Sequence, residues 1–247
     1  MATGPERGQP ALVEQARRSL GLEPEEAVAE VRDEALGIIE REGRIGQMVA
    51  AVASNIVARV DAFQAAGSER EPGVSPEPIA CRDGCPWCCY LHVDATAPEV
   101  FRIVEHIRGT FSAEERTALR ERVASLYEKS KGLDPVQRRL RQVPCALLVN
   151  RRCSIYPVRP ALCRGYTAFD AEDCQFLLID EEEETRGGRV DDWNVADIAW
   201  TGHRDAMNAL GLDQPLELTE GLLVVLTEPD AMERWLRGEP IFSARRG

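Results

Sequence analysis

Four cysteines stand within nine positions in "CRDGCPWCC", residues 81–89, and two of them are adjacent. No other feature restricts the chain so strongly. The eight cysteines fall at 81, 85, 88, 89, 145, 153, 163 and 174, leaving residues 1–80 and 175–247 with none. The opening "MATGPERGQPALVEQ" has no basic stretch followed by an apolar run, so a cytoplasmic, reducing setting is expected. Grouped thiols in that setting read as metal-binding or redox-active rather than as a disulfide framework. Ordinary burial accounts for any one cysteine, but not for the confinement of all eight.

With 247 residues and 44% hydrophobic content, the chain can bury a core as one domain or two small ones. Its densest apolar window, "GLLVVL" at 221–226, is too short to cross a bilayer. A formal net charge of −12 argues against general nucleic-acid binding and against anionic membranes, since both require a basic footprint. The expected partner is a protein or small molecule whose identity the sequence does not name.

The pattern is mostly helical. Ala27, Val31, Ala35, Ile38 and Ile39 recur three and four apart within 24–66, which predicts one long helix or two joined near Gly43 to Gly46. "GSEREPGVSPEP", from Gly67 to Pro78, has the composition of a linker. "HVDAT" suits a short extended piece. Thr96 with Glu99, and Ser112 with Glu115, are capping boxes that open two successive, antiparallel helices. In "PCALLVNRRCSIYPVRPALCRGY" an apolar run, a polar turn at Asn150 to Arg152, and "CSIY" predict a small hairpin followed by a helical turn. "DEEEETRGGR" at 180–189 reads as a solvated loop, and "DDWNVADIAWTGHRDAMNALG" and "EPDAMERWLRG" as amphipathic helices. The expected fold is therefore mostly α, with a small irregular cysteine-rich metal-binding centre and a short β-hairpin. Three parts are expected: an N-terminal helical segment (1–72), a cysteine cluster domain (80–175) and a C-terminal helical extension packing on it (176–247).

Cys85 and Cys88 form a C-x-x-C pair, a spacing that lets two thiolates converge on one metal. Gly84 permits a tight turn, and Pro86 suits the first position of a helix, which would put Cys88 and Cys89 in its first turn. There the exposed N–H groups favour thiolates. Neighbouring side chains diverge, so Cys88 and Cys89 can hardly serve one tetrahedral ion. Their adjacency favours a polynuclear cluster, two neighbouring sites, or one spare reactive thiol. Cys145, Cys153, Cys163 and Cys174 lie on different local elements that a hairpin could fold back onto the first group. From Arg138 to Arg164 there are seven arginines and no acid, and guanidinium groups would offset the negative charge of a thiolate-ligated centre. Arg159 and Arg164, flanking Cys163, suit that role best. Arg138, Arg139 and Arg141 read equally well as a solvated basic edge.

These two boxes resemble the YkgJ-type cysteine cluster family, a zinc- or iron-chelating domain with a CxxCxxCC signature. The match in the second box runs through Cys145, Cys153, Ile155, Tyr156, Arg159, Pro160, Cys163 and Arg164. In the first box, Cys81 and Cys85 are separated by three residues where the family has two. The resemblance covers about residues 80–175 and implies metal chelation, by an iron–sulfur cluster or by zinc. Some members resemble flagellin lysine N-methylases, which adds an S-adenosylmethionine-dependent activity as a further expectation. No Gly-rich turn after a strand supports a nucleotide pocket, since "RGG" at 186–188 lies in a charged stretch.

The candidate metal ligands are thus Cys81, Cys85, Cys88, Cys89, Cys145, Cys153, Cys163 and Cys174. The expected cofactor is an iron–sulfur cluster or iron, used in redox or radical chemistry, with structural zinc as the alternative. Catalytic residues and enzyme status stay open. His92 is a possible ligand or proton shuttle, Tyr156 and Trp87 are possible shields against water, and His106 and His203 are expected to be partly exposed.

Overall fold

The structure is a computed structural model that describes residues 23–67, 79–176, 178–179, 190–214 and 216–242. Of the expected linker from Gly67 to Pro78, Gly67 is the last residue of a helix, and 68–78, like the acidic stretch at 180–189, lie outside the described residues. The fold is mostly helical.

Helix α1 (Pro24–Glu42) starts at a capping box formed by Glu23 and Glu26, with Pro24 in its first turn. Its buried residues are Ala27, Val31, Ala35, Ile38 and Ile39, the periodic stripe of the sequence. Gly43, at φ +72°, ends it, and α2 (Gly46–Gly67) follows. Of the two expected arrangements, the structure has the second, two helices joined at Gly43 to Gly46.

Helices α3 (Ala97–Thr110) and α4 (Ala113–Ser130) both begin at complete capping boxes, Thr96 with Glu99 and Ser112 with Glu115. A short helix α5 (Pro135–Leu140), which the sequence pattern did not announce, is capped by Asp134. The second cysteine box then forms a hairpin, β2 (Leu148–Val149) against β3 (Arg152–Cys153). Asn150 and Arg151, at φ 51° and 62°, make the two-residue turn between the strands, the backbone shape that suits their twist. Helices α6 (Ala161–Gly165) and α7 (Ala171–Phe176) complete the cysteine region. Beyond it come α8 (Val190–Ala209), α9 (Leu218–Thr227) and α10 (Ala231–Leu236).

One core draws on all three parts of the chain. Val49 and Val52 of α2, Val100 and Phe101 of α3, Leu147 and Ile155 of the cysteine region, and Leu222 and Trp235 near the C-terminal end share it. Phe101 sits 5.5 Å from Trp235 and 6.1 Å from Phe242 between ring centroids. The apolar "GLLVVL" stretch is explained by this core, because it lies in α9 between α3 and α4. Helix α8 packs on α1, α2 and α6. At its crossing with α1, a Cβ on Gly202 would stand 2.6 Å from Val31 Cβ, so only glycine permits that approach.

A second two-residue pairing was not visible in the sequence: β1 (Asp94–Ala95) runs antiparallel to β4 (Leu216–Glu217). It ties the segment after the first cysteine box to the C-terminal helices.

Two expectations are corrected by packing. His203 is buried, at 1% exposure, because it faces α2, where its Nε2 lies 3.0 Å from Asn55 Oδ1. Of the basic edge, only Arg141 is exposed; Arg138 and Arg139 are buried. Arg138 donates to Glu217 Oε1 at 3.0 Å and to Thr219 Oγ1 at 3.2 Å, joining α5 to the start of α9.

Candidate metal centre

The first cysteine box is a loop fastened at both ends. The Ala80 N–H donates to the Ala168 carbonyl at 2.8 Å, and the Ala168 N–H donates to Cys81 Sγ at 3.3 Å. Gly84, at φ +95°, turns the chain so that the Cys85 N–H reaches the Arg82 carbonyl at 3.1 Å. Pro86 then precedes a single 3-10 turn, Trp87–Tyr90, which carries Cys88 and Cys89. This corrects the expected helix start: Pro86 is the capping residue rather than the first helical one, and the element is one tighter turn. At its far side the Cys145 N–H donates to the Cys89 carbonyl at 2.6 Å, a direct backbone link between the two boxes.

The second box brings its thiols to the same place from three elements. Cys145 precedes the hairpin, Cys153 lies on β3, and Cys163 lies on α6. The first N–H of α6, at Ala161, donates to Glu99 Oε1 at 2.8 Å. Cys81, Cys85, Cys88, Cys89, Cys145, Cys153 and Cys163 together line one cavity of about 60 Å³. That is well above the roughly 10–15 Å³ a single water requires, so the space is not limited to one ion. Cys174, buried on α7, is outside this lining. All eight cysteines are free thiols, and among the described residues no three His, Cys, Asp or Glu side chains already stand in metal-ligand positions. The thiols ring the cavity without closing on a common point. As a donor set they suit zinc, iron or an iron–sulfur cluster, and rotation about Cα–Cβ is the adjustment such a group would demand.

Residues 80–186 match a family model named CxxCxxCC and described as "Putative zinc- or iron-chelating domain". This segment is similar to that family, in agreement with the resemblance of the two cysteine boxes. No curated protein and no solved structure matches the chain. The matched segment contains all eight cysteines and helices α3 to α7, while α1, α2 and α8 to α10 lie outside it.

Within the matched segment the other singled-out residues divide. Arg159 lines the thiol cavity, with its guanidinium 4.3 Å from the Tyr156 ring centroid and a buried Nε that has no hydrogen-bond partner among the described residues. Tyr156 is part of the same wall, whereas Trp87 is outside it and packs under Arg151 at 5.2 Å. Arg164 is a structural brace. It donates to the Arg159 and Pro157 carbonyls at 3.0 and 2.6 Å and pairs with Asp61 of α2 at 2.7 Å. His92 lies 3.2 Å from Asp94 Oδ1 and outside the thiol cavity. His106 is half-buried on α3. Sequence reasoning missed Arg82, Glu217 and Leu218 as lining residues; the last two arrive through the β1–β4 pairing, for which no local signal exists.

Burial dominates the thiols' acidity. It raises Cys81, Cys153 and Cys163, the last well above its ordinary value, and takes Cys145 and Cys174 to about 12. The Arg159 guanidinium works against burial at Cys81, Cys153 and Cys163. Cys88 is the exception. The Cys89 S–H donates to its sulfur and, with Arg159 opposing burial, holds it below its ordinary value, while the same contact keeps Cys89 protonated. Of this adjacent pair, Cys88 is the thiol readier to lose its proton to a metal.

Proposed function

We propose that the thiol cavity holds an iron–sulfur cluster or iron that serves redox or radical chemistry. The supporting observation is the ring of seven cysteines around one cavity, with Cys88 and Cys89 adjacent in it. A single tetrahedral ion uses four thiolates, so seven favour a polynuclear centre or two adjoining sites. Cys81, Cys85, Cys88 and Cys89 would supply ligands from one side, and Cys145, Cys153 and Cys163 from the other. Cys174, whose thiol is raised by burial and then by the nearby Cys81, Cys85 and Cys88, would be a reserve ligand. Arg82, Arg138 and Arg159 line the same space and offset thiolate charge. Leu147, Ile155 and Tyr156 restrict water. The bound group would supply electron transfer. Free thiols in this number suit a reducing, cytoplasmic setting.

A structural zinc module is the second reading. It is favoured by the shortness of the elements that carry the thiols, a two-residue strand for Cys153 and a five-residue helix for Cys163, which a metal would staple together. Elemental analysis and a visible spectrum on protein purified without oxygen separate the two. Brown protein containing iron and acid-labile sulfide is expected; colourless protein with stoichiometric zinc would replace the first reading by the second.

A further inference from the structure

Among the described residues, the arginine nitrogens that are buried without a hydrogen-bond partner are Arg138 Nε and Arg159 Nε, and both residues line the thiol cavity. Arg164 makes the contrast. It follows Cys163 directly but is outside the lining, and its three nitrogens donate to the Arg159 carbonyl, the Pro157 carbonyl and Asp61 Oδ1. A buried N–H without an acceptor is costly, and native structures keep few of them. Two such donors on one wall place their acceptor in the space that the wall encloses.

Arg138 is the more confined of the two, at 3% exposure. Its Nη1 and Nη2 are tethered to Glu217 Oε1 and Thr219 Oγ1. Glu217 is fully committed in turn: Oε1 also accepts the Thr219 hydroxyl at 3.0 Å, and Oε2 accepts the Thr219 and Glu220 N–H groups at 2.8 and 3.2 Å. Although it lines the cavity, this carboxylate therefore holds the guanidinium rather than a metal. Both tethers lie beyond residue 186, outside the matched segment. At Cys145 burial dominates, and Arg138 is the guanidinium that opposes it, whereas Arg159 acts on Cys81, Cys88, Cys153 and Cys163. A neutral thiol is a weak acceptor. A ligating thiolate is a strong one, and a guanidinium N–H makes a charge-assisted bond to it.

We propose that Arg138 is a positioning residue of the metal centre, donating its Nε–H to the Cys145 sulfur when that sulfur is ligated, with Glu217 and Thr219 fixing the guanidinium for the task. The C-terminal part of the chain thereby helps to set the strength of the metal–thiolate bonds. The assignment rests on the metal-binding reading above and holds for iron and for zinc alike. An N–H bond withdraws electron density from the ligating sulfur, which raises the reduction potential of an iron centre and steadies the ligand's orientation.

The test uses the full chain purified without oxygen, with metal content measured on every sample. Arg138→Lys keeps a positive charge for Glu217 but has no Nε–H. Its metal should be lost to a competing chelator about tenfold more readily than that of the wild type. The thiolate-to-metal charge-transfer absorption should move to longer wavelength, because the sulfur lone pair is no longer held by the N–H. For a zinc protein this band is read after exchange of zinc for cobalt. In an iron protein the reduction potential should fall by the equivalent of about tenfold in the one-electron equilibrium, about 59 mV. If Arg138→Lys does not fold, Thr219→Val, which removes the Nη2 tether and leaves the arginine, should move the band the same way by less. A band that stays in place overturns the proposal, even where retention weakens, since a merely structural loss would weaken retention alone. An unmoved band in fully loaded protein overturns the Arg138 assignment and leaves the centre standing. Zinc in place of iron, with the cobalt band displaced, upholds Arg138 and overturns the redox reading. Wild-type protein that takes up neither iron nor zinc overturns the centre and this assignment together.

Discussion

Glu99 Oε1 accepts the Ala161 N–H at 2.8 Å, so the carboxylate that caps α3 also anchors the helix that carries Cys163. Its other oxygen accepts the Thr96 N–H and hydroxyl at 2.8 and 2.9 Å, leaving the buried group fully occupied. Glu99→Gln would turn an amide donor toward one set of these donors, and Glu99→Ala would leave a buried N–H unmet. Either substitution should lower the unfolding free energy by about 2 kcal/mol, read by urea denaturation, and reduce metal uptake. Unchanged metal content in a destabilised Glu99→Ala protein would mean that α6 keeps its place without this anchor.

Gly84 lies at φ +95°, and a Cβ there would meet nothing closer than Arg152 Nε at 3.8 Å. Gly84→Ala therefore strains the backbone without a clash. The expected cost is about 1–2 kcal/mol, with weaker metal retention because Cys85 follows the turn directly. A chelator competition assay measures retention, and equal chelator sensitivity in variant and wild type would rule out the role given to the turn.

His203 links stability to pH. Burial, with Arg59 nearby, lowers its pKa to about 4, against about 6.5 in an unfolded chain. As pH falls, the unfolded state takes up this proton first. The stability is therefore present in full above about pH 6.5, and roughly 3 kcal/mol of it is lost by about pH 4. Because carboxylates titrate over the same range, the readout is the difference between wild type and His203→Gln in denaturant unfolding at about pH 7.5 and about pH 4.5. Wild type should lose more stability than the variant. Equal losses would show that His203 is not held neutral.

Which of these features could be read from the chain depended on how far apart the partners lie. The buried stripe of α1, both capping boxes and the β2–β3 hairpin are local, and their residue patterns express them directly. The two cysteine boxes were legible because the residue type itself carries the chemistry. The pairing of Asp94 with Glu217, the burial of Arg138 against that same Glu217, and the contact of His203 with Asn55 join residues far apart in sequence. Two-residue strands have no periodicity, and an arginine on a short helix looks the same whether water or a distant carboxylate receives it. Glu99 was legible as a cap. Its bond to Ala161 depends on the tertiary approach of α6 and left no mark in the local pattern.

The loop 81–90 is held by a small number of backbone bonds, including Ala80 to Ala168 and Cys145 to Cys89. The helices around it have their own apolar faces in the shared core. Stripping the metal should therefore raise hydrogen exchange at 81–90 and 145–163 while α3, α4 and α9 stay protected. Unchanged protection across both cysteine boxes would show that the metal is not needed to hold them.

If both cysteine boxes ligate the same metal centre, X-ray absorption at the edge of the bound metal will register it, because thiolate ligands give a sulfur shell at about 2.3 Å whose occupancy counts them. A sulfur-dominated shell is expected in the wild-type protein. Cys88→Ser from the first box and Cys153→Ser from the second should each lower the sulfur count or the metal content. A shell of nitrogen and oxygen, or a Cys153→Ser protein whose metal content and sulfur shell match the wild type, would overturn the shared centre.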